Sequence, residues 1–340
     1  MKKQDIAKLA GVSPSTVSLV LNGKAGVSNE VRSKILSLAK EHQIHYHIPQ
    51  EQEKSIVLLK YFSHGMIVEE NDGFILSIIE QVERECRRNL YCFKLHSFSK
   101  ETLADAISFY TASPPSGIVV LGSEIEDRDI EQLLSIPCPK LILDSKMDTT
   151  AASSVLMANE DIVAAAMDHL YQLGHRKIGF VSSSIKSSNF TLRRSAYTRI
   201  LRQLGMDDAS SLVFTAAPTL GRSYEDMLYM LKNAEHLPTA FLAANDILAI
   251  GTIRALQELG IRVPEDISVV GIDDIPYSAI TVPPLTTMRI SRTSLGSAAF
   301  SLLSTLIDDP EFPNTCIQIA GKLVLRSSTA PPRSADGGAQ

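Results

Sequence analysis

Tryptophan is absent from this 340-residue chain, and aromatic residues make up only 6% of it. A core or ligand platform built on large stacked rings is therefore not expected. Cysteine is scarce and dispersed. Cys86, Cys92, Cys138 and Cys316 contain no C-x-x-C pair, which argues against a zinc site or a disulfide framework and for free thiols in a reducing compartment. Long apolar runs are also missing. Lys2 and Lys3 open the chain, but Asp5 and Lys8 break up the stretch after them, so neither a signal peptide nor a membrane span is expected and a cytoplasmic location is. The signatures of common catalysts are lacking too: no G-x-G-x-x-G, no P-loop, no G-x-S-x-G, and no His set beside a Cys or Ser in a supporting context. Asp273 and Asp274 are adjacent, a spacing that does not place two carboxylates on either side of a substrate. His42, His45 and His47 lie close together, yet no further ligand stands at a matching distance, and they read as a solvated segment. The expectation is a protein that is not an enzyme and uses neither cofactor nor metal.

Charge is unevenly distributed. Net charge is −5 over the whole chain. Residues 1–50 hold seven Lys or Arg against three acids, a balance of +4, which leaves −9 in the remainder. A basic end on an acidic body suits a protein that turns one face toward phosphates. The length allows two or three folding units.

The basic end contains D-I-A-K-L-A-G-V-S-P-S-T-V-S-L-V-L-N, Asp5 to Asn22. Asp5 falls in the first turn of one helix, where a negative charge suits the dipole, and Ile6, Leu9 and Ala10 are expected on its inner face. Gly11 breaks this helix. Ser13 is placed to cap the next, and Pro14 occupies the first helical position, where its missing N–H costs nothing. Val17, Val20 and Leu21 form the inner face of the second helix. Its outward residues Ser15, Thr16, Ser18, Leu19 and Asn22 offer hydroxyl, amide and methyl groups that fit a DNA major groove. A third helix begins after Ser28 and carries Val31, Ile35, Leu38 and Ala39 at helical spacing. Three short helices on one small core make a helix-turn-helix domain.

This block resembles the headpiece of the lactose and galactose repressor family of bacterial regulators, whose pattern is D-V-A-x-x-A-G-V-S-x-x-T-V-S-R-V-L-N. The resemblance implies that Ser13, Pro14, Ser15, Thr16, Ser18, Leu19 and Asn22 face double-stranded operator DNA. One position departs: the family usually has Arg where this chain has Leu19.

Beyond a polar linker, strand and helix patterns alternate from Ser55. Strands are expected at Ile56–Tyr61, Tyr91–His96, Gly117–Leu121 and Lys140–Leu143, with helices between them. A second series continues the pattern, with helices across Ile162–Leu173, Arg194–Leu204, Ser223–Asn233 and Ile247–Leu259, and strands at Ile178–Val181, Leu212–Phe214, Ala240–Ala243 and Ser268–Ile272. These are two doubly wound α/β units with parallel sheets, which bind ligands at the carboxyl ends of their strands. Asp144, Asn245 and Asp273 each stand just past a strand end and face the cleft. Arg193 is expected to open a helix, where its charge opposes the dipole unless something in the cleft uses it.

The family resemblance extends here through V-x-x-x-N-E-D (Val155 to Asp161), L-G-H-R-K-I-G-F (Leu173 to Phe180), A-N-D-I-L-A-I-G (Ala244 to Gly251), G-I-R-V-P-E-D-I-S-V-V-G-I-D-D (Gly260 to Asp274), P-P-L-T-T and L-V-L-R-S-S-T. It implies a periplasmic-binding-protein-like core with three crossings between lobes. The expected domains are a headpiece at 1–48, a short linker at 49–54, a core at 55–330, and a disordered tail at 331–340. The core divides into lobe 1 (about 55–153 and 285–314) and lobe 2 (about 154–284 and 315–330). The resemblance also implies a homodimer and an effector site at Arg193, Asn245 and Asp273, with Phe74, Met157 and Tyr277 as walls. The effector is expected to be a small polar metabolite, a sugar or similar, although Pro218 stands where some sugar-binding relatives place an aromatic platform. The other reading keeps the DNA-binding role and makes the core a dimerisation or protein-docking scaffold without a small ligand. Relatives also carry Y-x-P-N-x-x-A-R-x-L after the headpiece, a segment that folds as a hinge helix on the operator. Here Pro49 is followed by Q-E-Q-E-K-S, and no A-R-x-L occurs.

Overall fold

The computed structural model describes residues 3–21, 27–42, 54–61, 72–146, 152–206 and 212–333. The chain divides into two compact units, Met1–Lys54 and Ser55–Gln340.

The first unit holds helices α1 (Lys3–Ala10), α2 (Pro14–Leu21) and α3 (Asn29–Glu41). Ile6, Ala7, Ala10, Val17, Val20, Leu21, Ile35 and Ala39 are its buried core. Leu9, expected inside, is 52% exposed. At 100° per residue the buried face of α1 centres between Ile6, Ala7 and Ala10, and Leu9 lies roughly a quarter-turn away from that centre. Gly11 adopts φ +72°, the left-handed conformation that ends a helix without strain in glycine. The Thr16 amide then donates to Ser13 Oγ at 3.1 Å, so the expected cap is in place, and the Val31 amide donates to Ser28 Oγ at 3.5 Å at the start of α3.

The second unit contains, in order, β1 (Ser55–Tyr61), α4 (Asp72–Arg88), β2 (Cys92–Phe98), α5 (Leu103–Ala112), β3 (Gly117–Leu121), α6 (Asp127–Leu133), β4 (Lys140–Leu143) and β5 (Ser153–Met157). Next come α7 (Asn159–Gln172), β6 (Ile178–Ser183), α8 (Ser188–Gln203), β7 (Val213–Ala216), α9 (Leu220–Lys232), β8 (Ala240–Ala243), α10 (Asp246–Glu258) and β9 (Ser268–Asp273). A 3₁₀ turn (Pro276–Ala279) leads to β10 (Thr286–Ile290), α11 (Arg292–Asp308), β11 (Cys316–Ile319) and β12 (Gly321–Val324).

These strands form two six-stranded sheets, ordered β11-β5-β4-β3-β1-β2 and β12-β10-β9-β8-β6-β7. Among the described residues all pairs are parallel except β10 with β12. Parallel strands covered on both faces are buried throughout, and β3, β5, β8 and β9 are buried at every position.

The lobe boundaries need correction. β5 and β11 belong to the first sheet and β10 to the second, so each crossing falls one strand later than expected, after Met157, Ile290 and Ile319. Which sheet a strand joins depends on partners distant in the sequence, and the local apolar pattern does not carry that information. Helix α11 returns to pack on α4 and on β3, β4 and β5 of the first lobe.

The expected tail is also partly fastened. Ala330 N donates to Ser268 Oγ at 3.0 Å, His175 Nε2 meets Ala330 O at 2.9 Å, and Arg333 pairs with Asp266 at 2.7 Å. Arg333 therefore holds the start of the expected tail against lobe 2, while 334–340 lie outside the described residues. Among the described residues no helix is long and apolar enough to cross a membrane. Burial pushes the Cys86 thiol up to about 12, so it stays protonated in the core.

Candidate functional site

On the headpiece, Ser13, Pro14, Ser15 and Leu19 are exposed on or beside α2, with Thr16 and Ser18 half-buried. Leu19 is 36% exposed, although it is one of the larger apolar side chains of this small unit. Ser13 Oγ also meets Ser15 Oγ at 2.7 Å and Thr16 Oγ1 at 2.8 Å, so its hydroxyl is engaged in the cap. Asn22 and the linker residues 49–53 lie outside the described residues.

In the second unit the two sheets meet across a cleft. Met157 ends β5, Asp144 follows β4, Asn245 follows β8 and Asp273 closes β9, so strand ends bring these residues together. Arg193 approaches from α8 and Phe74 from α4. All six line one cavity of about 30 Å³.

Arg193 is its centre and is 2% exposed. Its Nε donates to Asn159 Oδ1 (2.8 Å), Nη1 to the Ala244 carbonyl (2.6 Å), and Nη2 to Met157 Sδ and Asp273 Oδ1 (both 3.3 Å). A second chain of bonds runs from the Ser123 hydroxyl to Asp144 Oδ2 (2.5 Å) and from Asn189 Nδ2 to Asp144 Oδ1 (2.9 Å), while Asn159 Nδ2 donates to Asn189 Oδ1 (2.8 Å). The two lobes are thus joined by side chains of the protein itself.

Positions differ from expectation in two ways. Arg193 does not open its helix: Ser187 caps α8 by accepting from the Phe190 amide at 3.2 Å, which places Arg193 in the second turn. Arg193 is therefore past the first turn, where its charge would oppose the helix dipole, and it still lies in the cleft. Tyr277 is 54% exposed on the 3₁₀ turn and does not line the cavity. Asp273 and Asp274 reverse the chain with φ of +119° and +53°, and the next turn buries Ser278 and directs Tyr277 outward. Asn245 serves the fold as well as the cleft. Its Oδ1 caps α10 by accepting from the Leu248 amide at 3.0 Å, and the residue also lines the cavity.

Sequence reasoning missed Ser123, Asn159, Asn189 and Phe190. Asn159 was within reach, because it is the Asn of the N-E-D motif; Asn189 had no signal, because the apolar pattern puts the start of α8 six residues late.

The carboxylates are strained electrostatically. Burial raises the Asp144 pKa against the opposing bonds from Ser123 and Asn189 and the charge of Arg193. Burial likewise pushes Asp273 up to about 6, opposed by Arg193 and reinforced by Asp144. Asp246, held by the Thr287 hydroxyl at 2.5 Å and the Ile275 amide at 2.9 Å, is raised well above the usual carboxylate range by burial and by Asp273. A folded pKa above the unfolded one contributes stability that is complete below the unfolded value and is lost as pH rises through the folded value. Asp273 should therefore cost the core stability as pH rises from about 4 to beyond about 6. Asp273→Asn, which cannot titrate, should gain on the wild type over that interval in urea unfolding. Parallel stability curves from pH 4 to pH 7 would refute this.

A helix-turn-helix unit preceding a two-lobed α/β core, with polar side chains converging between the lobes, defines a DNA-binding transcriptional regulator of the ligand-responsive kind. Residues 3–47 match the model of the bacterial regulatory proteins, lacI family, and residues 167–329 that of the periplasmic binding protein-like domain. The HTH-type transcriptional repressor PurR of Haemophilus influenzae is 30% identical over 341 residues, covering 96% of this chain and 97% of its own. The chain belongs to the lacI family of bacterial regulatory proteins. Solved structures share its fold. The lac repressor dimer bound to operator and the anti-inducer ONPF has a TM-score of 0.76 at 24% identity, with 97% of this chain and 99% of that one covered. The transcriptional regulator CelR in its cellobiose complex has a TM-score of 0.73 at 23% identity, covering 96% and 99%.

Proposed function

We propose that this regulator is a cytoplasmic repressor that binds a roughly two-fold symmetric operator as a homodimer. In this reading Ser13, Pro14, Ser15, Thr16, Ser18, Leu19 and Asn22 meet the DNA, and a small polar metabolite, a sugar or related compound, binds between the lobes. Phe74, Asp144, Met157, Arg193, Asn245 and Asp273 form its site, and the protein catalyses no reaction. The observation that carries this is Arg193: a buried guanidinium spends one N–H on a thioether, a weak acceptor, at the point where strand ends from both lobes converge. A ligand oxygen would be a better partner. A thermal-shift screen of sugars and nucleosides on the full chain tests it, because a compound that binds the native state raises its melting temperature.

One observation favours the scaffold reading. The cavity of about 30 Å³ is room for one or two waters only, so any effector must first part the bonds between Asn189 and Asp144 and between Arg193 and Met157. No stabilising compound across the screen, combined with intact operator binding, would favour the scaffold.

The linker leads to a separate expectation. Gln50 to Lys54 are too few residues for a stable helix with connectors, and Glu51 and Glu53 carry the wrong charge for phosphates. Without a wedge to make new contacts, bending the DNA is not compensated. Energy transfer between the ends of a labelled operator should change little on binding. A sharp kink in the complex would show that another segment supplies the wedge.

A further inference from the structure

Outside the cleft, the second unit contains a larger cavity of about 310 Å³ at the amino ends of β4 and β5, the opposite end of the first sheet from the site above. One wall is Leu134 and Pro139, beyond the end of α6. The other is Leu306 of α11 with Phe312, and Ala152 lies between them. A volume of this order matches the lower end of small-molecule pockets, ~300–1,000 Å³.

Its polarity is concentrated in two residues, Lys140 and Asn314. Lys140 is the first residue of β4 and is half-buried. Its ammonium donates to the carbonyls of Ile136 at 2.5 Å and Cys138 at 2.7 Å. An ammonium has three N–H groups, so these two carbonyls leave one uncommitted. Neither carbonyl is an anion, and among the described residues Lys140 forms no ion pair. Buried charges are ordinarily paired, because removal from water penalises an isolated one. Burial indeed lowers the Lys140 pKa, and no carboxylate acts to raise it.

We propose that this cavity is a second ligand site, for a small monocarboxylate with an apolar body, about ten non-hydrogen atoms in all. The carboxylate pairs with the Lys140 ammonium. The apolar body lies between Leu134, Leu306 and Phe312. The site is coupled to the cleft by one strand, since β5 begins beside Ala152 at this cavity and ends at Met157 in the other.

Octanoate and 1-octanol, which share the same carbon-chain length, are the probes. Calorimetric titration of the full chain should detect octanoate and find octanol bound at least about tenfold more weakly, the loss of one charge-assisted hydrogen bond. Lys140→Met keeps the apolar stem and should weaken octanoate about tenfold or more while leaving octanol unchanged. Octanol binding as tightly as octanoate, or octanoate binding Lys140→Met as tightly as the wild type, overturns the proposal, as does an absence of octanoate binding. Should Lys140→Met fail to fold, methyl resonances of the wild type decide the matter. Octanoate must shift the methyls of Leu134 and Leu306, and a shift confined to Met157 in the cleft refutes the site.

Discussion

Arg193→Ala should both unfold the core more readily and remove its response to effector, the largest effect expected of any single substitution in this chain. The side chain is buried and makes four contacts, to Asn159, Ala244, Met157 and Asp273. Removing it leaves the Asp273 carboxylate and two carbonyl-type oxygens buried without their donor. Breaking one side of a buried ion pair costs ~3–5 kcal/mol. An arginine at the exposed start of a helix would be removable without harm to the fold. The structure requires a stability loss instead. Loss of a hydrogen bond to a charged group should also weaken a cleft ligand by about 1.5–3 kcal/mol, ~10- to 100-fold. Lysine should not rescue it, since a point ammonium cannot reach acceptors spread around a planar fork. Asn245→Ala provides the contrast: it removes a helix cap worth ~1 kcal/mol and should leave a folded protein. Urea unfolding of both variants, with calorimetry using the screen's strongest ligand, measures the two effects separately. Wild-type stability in Arg193→Ala would mean that the guanidinium network is not closed in solution. Wild-type ligand affinity would remove Arg193 from the site.

Leu19→Arg should change which base pair the headpiece prefers. Relatives usually place Arg here, and a guanidinium reads guanine bidentately, whereas a leucine offers only an apolar contact to a thymine methyl. Leu19 is 36% exposed, while Val17, Val20 and Leu21 on the same helix are buried. Its side chain therefore adds little to the core, and the substitution should not unfold the unit. Each good bidentate contact is worth ~1–3 kcal/mol of discrimination against the wrong base, so about 5- to 150-fold is expected at one operator position. Selection from randomised operators, run with both proteins, gives the answer. Identical preferences would place Leu19 away from the bases.

The headpiece was readable because its signals are local. A cap, an N1 proline, a left-handed glycine and a helical apolar period each act within a few residues, and the structure places Ser13, Pro14, Gly11 and the Val17–Val20–Leu21 face accordingly. The exception, Leu9, is a position where the period alone admits two faces and only packing selects one. The core obeys the same division. Strand and helix alternation gave two parallel sheets, because buried apolar runs between glycine stops leave few other folds. Lobe membership of β5, β10 and β11 was not readable, since pairing partners lie far off in sequence; β11, for instance, pairs with residues 162 positions earlier.

For the site, the sequence by itself determined the candidates that end strands: Asp144, Asn245 and Asp273, whose positions follow from topology. Only the tertiary structure decided what they do. It buried Arg193 among partners from both lobes, brought Asn159 and Asn189 to Asp144, turned Tyr277 to solvent, and set Lys140 at the far end of the first sheet with no counter-charge among the described residues. Strand ends are set by short-range backbone rules, whereas burial, pairing and pKa depend on which distant segments are packed together, and no local pattern carries that information.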